Sequence, residues 1–110
     1  MEKIAVPTEG QKVASHFGHC SKFTICRAEN GSISDISSID NPGHRPGFLP
    51  GFLGEKGIDI VLAGGMGSRA INLFKQQGIE VVTGARGDVK ECLNSYVNGQ
   101  LTTEDNACDH

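Results

Sequence analysis

The first apolar run of the chain, Ile4-Ala5-Val6-Pro7, is short and β-branched at Ile4 and Val6, which predicts a strand. Pro7 offers no N–H to a ladder and suits the strand's end. Residues 9–20 are polar and predict a loop, which carries His16 and His19. Over residues 22–28 the pattern alternates: Phe23 and Ile25 fall on one side, Thr24 and Cys26 on the other. Asn30-Gly31 follows, a two-residue hairpin signal, because both positions tolerate positive φ. Residues 33–39 are the returning strand, and Asn41-Pro42 ends it.

Residues 41–57 are the least regular stretch. The tandem Pro46-Gly47-Phe48-Leu49 and Pro50-Gly51-Phe52-Leu53 is too short for a repeat architecture. It predicts a flexible loop running into a short helix near residues 50–56, with Pro50 in the first turn. Residues 59–63 form a continuous apolar run, as in a strand covered on both faces. Gly64-Gly65-Met66-Gly67 turns that strand into a helix over residues 68–77, striped by Ala70, Ile71 and Phe74 and stopped by Gly78. Residues 79–83 are the last strand. Asp88 and Glu91 then open the final helix in capping-box fashion, and Val89, Cys92, Leu93, Tyr96 and Val97 give it an i, i+3, i+4, i+7, i+8 stripe.

The predicted order is β-β-β-α-β-α-β-α: a mixed five-stranded α/β sheet with helices on both faces and right-handed crossovers. Ligands in such sheets sit at the carboxyl ends of the parallel strands. Pro7-Thr8, Gly64-Gly65-Met66-Gly67 and Gly84-Ala85-Arg86-Gly87 should converge there.

A chain of 110 residues is read as one domain over residues 1–101 with a polar, flexible tail over 102–110. The net charge of −3 gives no bulk attraction to nucleic acid or to an acidic membrane. Glu104, Asp105 and Asp109 lie in the tail, so the body is near neutral. No apolar run suits a signal peptide or a membrane span, and the expected location is cytoplasmic. Thiols stay reduced there, so Cys20, Cys26, Cys92 and Cys108 are expected as core groups, reactive thiols or metal ligands.

Three potential ligands, His16, His19 and Cys20, stand within five residues and suit soft or borderline metals. A turn whose polar side chains cap the backbone around a core Phe17 is the plainer alternative, and the spacing matches no four-ligand zinc site. The turn Gly64-Gly65-Met66-Gly67 at a helix start, with Ser68 and Arg69, exposes N–H groups toward an anion. It is neither a complete G-x-G-x-x-G nor a P-loop, and a tight turn alone would also require its glycines. Lys22, Arg45, Arg69 and Arg86 are the cations expected near the same edge. Cys108 and His110 could reach a metal held elsewhere, or stand in an inert tail. Cys92 on the helix stripe and Cys26 within a strand are expected to be packing groups. Enzymatic readings are weaker: the first strand has no carboxylate for two-metal catalysis, and neighbours such as Ser15-His16 rarely face each other as nucleophile and base.

Ile4-Ala5-Val6-Pro7, Ser15-His16-Phe17-Gly18-His19-Cys20-Ser21-Lys22-Phe23, Asn41-Pro42, Ala63-Gly64-Gly65-Met66-Gly67 before Ala70, and Asn98-Gly99-Gln100-Leu101 together resemble the dinitrogenase iron–molybdenum cofactor-binding domain family. The likeness spans nearly all of residues 1–101. It implies a ribonuclease H-like fold without nuclease chemistry, and non-enzymatic binding or transfer of an anionic molybdenum-containing metal–sulfur cluster, with iron or copper as second metal. It implies a protein that donates or receives the cluster. Two other readings compete: a simple Zn or Cu protein using His16, His19 and Cys20, and a regulatory module holding a nucleotide phosphate on the glycine turn.

Overall fold

A computed structural model of the protein describes residues 2–14, 17, 20–41 and 48–98. Strand β1 (Glu2–Glu9) pairs antiparallel with β3 (Lys22–Glu29), and β3 pairs antiparallel with β4 (Ser32–Asp40). Asn30 at φ +52° and Gly31 at φ +79° make the β3–β4 hairpin, as two consecutive left-handed residues match the strand twist. On its other edge β1 pairs parallel with β5 (Ile60–Leu62), which pairs parallel with β6 (Glu80–Val82). The strand order is β4-β3-β1-β5-β6.

The sheet has six strands among the described residues, not five. The added one, β2 (Lys12–Val13), lies in the stretch predicted as loop and pairs back onto Thr8 and Glu9. Gly10 at φ +64° reverses the chain between them. Two paired residues are too few to write an alternating pattern into a sequence.

Helix α1 (Phe48–Glu55) begins two residues earlier than predicted. It contains Gly51 and Gly54, each costing about 1 kcal/mol against alanine in a helix. Leu49 and Leu53, one turn apart and buried, offset that cost through packing. Gly54 also allows close approach: a Cβ there would lie 3.1 Å from Gln77 Oε1, just past α2 (Ser68–Gln76). Both helices end on a left-handed glycine, Gly57 at φ +77° and Gly78 at φ +76°. The next residue then folds back, with Ile58 N–H donating to Leu53 O and Ile79 N–H to Phe74 O. These buried isoleucines lead directly into β5 and β6.

Alternation on the central strands divides the core into two layers. Ala5, Phe23, Ile25 and Val61 face α1 and α2 through Leu49, Leu53 and Phe74. Ile4, Val6, Cys26, Ile60 and Leu62 face α3 (Val89–Val97) through Val89, Cys92 and Leu93. The mixed sheet, the helices on both faces and the burial of Cys92 agree with the sequence reading. The tail from residue 99 onward lies outside the described residues.

Asp88 is the N-cap of α3: its carboxylate accepts from the N–H groups of Lys90 at 2.9 Å and Glu91 at 3.2 Å. Asp88→Ala should lower the unfolding free energy by about 1 kcal/mol, read as a lower urea midpoint, while Asp88→Asn should retain most of it. An unchanged midpoint in Asp88→Ala would contradict the cap.

Candidate functional site

The carboxyl ends of β1, β5 and β6 meet at one edge of the sheet, as parallel pairing requires. The chain after each strand is tied to its neighbours. Gly84 N–H donates to Gly64 O at 3.2 Å and Ala85 N–H to Ala63 O at 3.0 Å, which joins the loop after β6 to the glycine turn after β5. Val13 N–H donates to Gly87 O at 2.9 Å, so β2 clamps the same loop from the other side.

Phe17 is fastened to the glycine turn directly: its N–H donates to Gly65 O at 3.2 Å. The Phe17 ring packs 5.8 Å from that of Phe23 and 5.2 Å, edge to face, from that of Phe74. Phe17 is therefore tied by its backbone to the turn and by its side chain to β3 and α2. Cys20, at 5% exposure, and Met66 both belong to the core layer that Phe17 covers. Gly67 is the N-cap of α2 and supplies no side-chain bond, so the first-turn N–H groups are not capped by it. Such a helix start attracts an anion by about 0.3–1 kcal/mol when exposed.

Of the predicted cations, Lys22 sits opposite Thr8 at the end of β1, and Arg69 is in the exposed first turn of α2. Arg86 is exposed in the loop after β6, and its backbone N–H bonds to the Cys92 thiol. Lys22, Arg69 and Arg86 thus stand on three segments at one end of the sheet: Lys22 shares the face of Thr8 and Thr24, and Arg69 directly follows Gly64, Gly65, Met66, Gly67 and Ser68. His16, His19 and Arg45 lie outside the described residues. Among the described residues, no group of three or more His, Cys, Asp or Glu converges to hold a metal ion. No helix among them is long and apolar enough to cross a membrane.

The sequence reading missed two features. The Asn41 side-chain amide donates to Cys20 O at 2.9 Å and reaches Cys20 Sγ at 3.8 Å; from sequence it is only a strand terminator before a proline. On the α3 face, Thr8, Thr24, Ser37, Ser38, Asp88 and Lys90 line a groove of about 360 Å³. The hydroxyls of Thr8 and Thr24 bond each other there at 2.8 Å, and Thr8 Oγ1 also donates to Val6 O at 2.8 Å.

The family described as dinitrogenase iron-molybdenum cofactor matches residues 1–99. Uncharacterized protein MJ0580 of Methanocaldococcus jannaschii is 32% identical over 104 residues, covering 90% of this chain and 88% of that one. The crystal structure of PH0822 superposes with a TM-score of 0.87 at 31% identity, covering 94% of this chain and 95% of the other. The apo form of the orange protein from Desulfovibrio gigas has the same fold, with a TM-score of 0.75 at 22% identity over 96% of this chain and 95% of that one.

Cys26 and Cys92 are buried in the α3-side layer, with Cys92 beneath the Arg86 backbone. Burial pushes the Cys26 thiol up to about 11 from an ordinary 9.0. Burial also raises Cys92, partly countered by the Arg86 backbone N–H. A thiol that ionises later in the native state than in the unfolded chain favours the native state below the unfolded value. That advantage is lost as pH rises toward the native value. Stability should therefore fall between about pH 9 and 11, and Cys26→Ala should flatten the decline in urea midpoints. Equal slopes in the two proteins would count against a buried neutral thiol.

Proposed function

The chain belongs to the dinitrogenase iron-molybdenum cofactor family, and from that premise we propose that it binds and carries an anionic molybdenum-containing metal–sulfur cluster between proteins, without catalysing a reaction. The cluster is cargo, with iron or copper as its second metal. The observation that carries the reading is the Phe17–Gly65 backbone bond, which brings Phe17, three residues before Cys20, against the glycine turn at the start of α2.

The donor set suits such a cargo. A cluster of metals and sulfide is large, polarisable and negative. Backbone N–H groups at the opening of α2 and the cations Lys22, Arg69 and Arg86 serve for charge, and the Cys20 thiolate for soft-metal ligation. One exposed helix start is too weak alone, so charge recognition and ligation act together. His16, His19 and Arg45 are proposed to complete the site. The strand order β4-β3-β1-β5-β6 supports a ribonuclease H-like reading of the fold. The central strand holds Ile4, Ala5 and Val6, fully buried, where nuclease chemistry would need a carboxylate, which supports a binding role. The reading also implies a protein donor or acceptor and a reducing, cytoplasmic setting.

Protein purified without oxygen from molybdenum-replete cells should contain stoichiometric molybdenum with iron or copper, and show sulfide-to-metal charge-transfer bands in the visible. Arg69→Ala with Arg86→Ala should weaken uptake of tetrathiomolybdate by about tenfold. Added salt should weaken uptake by the native chain, because the screening length is only about 8 Å near physiological ionic strength. Zinc or copper alone, or metal-free protein that gains thermal stability with a nucleotide, would overturn the proposal.

A further inference from the structure

We infer that Asn41 is a positioning residue for the Cys20 thiolate, donating one arm of its amide to the sulfur and the other to the same residue's carbonyl. The inference rests on the reading that Cys20 ligates the cargo, and assigns a role outside the ligand set to the residue just past β4.

Asn41 directly follows β4, where Asp40 pairs with Lys22, and its own N–H donates to Ser21 O at 3.1 Å. The backbone is thereby registered against the segment that carries Cys20. The side-chain nitrogen lies 2.9 Å from Cys20 O and 3.8 Å from Cys20 Sγ. Both of these atoms are acceptors, and an amide nitrogen carries two protons. The reversed amide would set its oxygen against the Cys20 carbonyl oxygen, so the donor orientation is required. Cys20 is almost entirely shielded from water, so few solvent donors compete for the sulfur.

The strength of this contact depends on the sulfur's charge. A neutral thiol is a weak acceptor, and an N–H at 3.8 Å gains little from it. A metal-bound thiolate is negative, and charge-assisted hydrogen bonds are roughly twice as strong as neutral ones. The amide fixes the sulfur relative to the same residue's carbonyl. It holds the side chain's direction before cargo arrives, which reduces the ordering cost of binding. Donors behind a ligand act this way at metal sites generally, and their removal typically costs about 10–100-fold in affinity.

The test uses Cu(I) alone as a soft probe, titrated without oxygen into the full chain, with the near-ultraviolet thiolate-to-copper band as readout. Asn41→Ala and the isosteric Asn41→Asp, which cannot donate and places negative charge by the sulfur, should each lower Cu(I) affinity by about 10–100-fold. Both should move the band to longer wavelength, since a thiolate relieved of its donor gives up electrons more easily. Thermal unfolding of the metal-free variants separates the roles: a merely structural asparagine would lower the melting temperature and leave the band of the bound form in place. If Asn41→Asp, whose carboxylate would face the Cys20 carbonyl, does not hold its fold, Asn41→Ala carries the comparison. Cys20→Ala is the reference. If Cys20→Ala leaves affinity and band unchanged, Cys20 is not a ligand, and the inference falls with that part of the proposed function. If Cys20→Ala abolishes the band while both Asn41 variants keep native affinity and band position, the inference alone is overturned.

Discussion

Strand β1 is hydrogen-bonded along both edges, antiparallel to β3 and parallel to β5, and its side chains at Ile4, Ala5 and Val6 are sealed from water. Every other element takes its place from this strand. Burial on both faces requires alternate residues to meet different helices, so Ala5 packs toward α1 and α2 while Ile4 and Val6 pack toward α3. A one-residue slip of β1 would exchange the two layers. Local bonds resist that slip: Lys3 N–H donates to the Asp59 carboxylate at 2.9 Å, and Asp59 N–H returns a bond to Lys3 O at 2.8 Å. These fix the parallel register just before β5 begins.

The edge proposed for cargo follows from that register. Three parallel strands that start together also end together, and the chain beyond each must leave the sheet at one side. What such strands do not guarantee is that their loops cohere. Here the Gly84–Gly64 and Phe17–Gly65 backbone bonds link the loop after β6 and Phe17 to the same glycine turn. Phe17 adds a packed ring against Phe74, so movement of its loop would disturb α2. This edge carries charge on exposed Arg69 and Arg86.

Elements governed by local chemistry were legible in the sequence. Asn30-Gly31 required a left-handed turn and forms one. Asp88 with a helical stripe behind it required a cap and supplies one. Helix α1 was only partly legible, because its glycines and proline oppose a helix and the burial of Leu49 and Leu53 decides the matter. Strand β2 was not legible, since its pairing depends on the turn at Gly10 and on nearby Gly87. The same limit applies to the site. Strand order predicts which loops share an edge, but the Phe17–Gly65 and Asn41–Cys20 contacts join residues far apart in sequence and leave no periodic trace. Asn41-Pro42 reads as punctuation until the fold brings its amide to Cys20.

The most direct measurement is a crystal structure of cargo-loaded protein with anomalous differences collected at the molybdenum edge. The account predicts a single strong peak at the edge formed by Cys20, the turn from Gly64 to Gly67 and the start of α2. A peak in the groove beside Thr8, Thr24 and Asp88 on the opposite face, with none near Gly65, would contradict it.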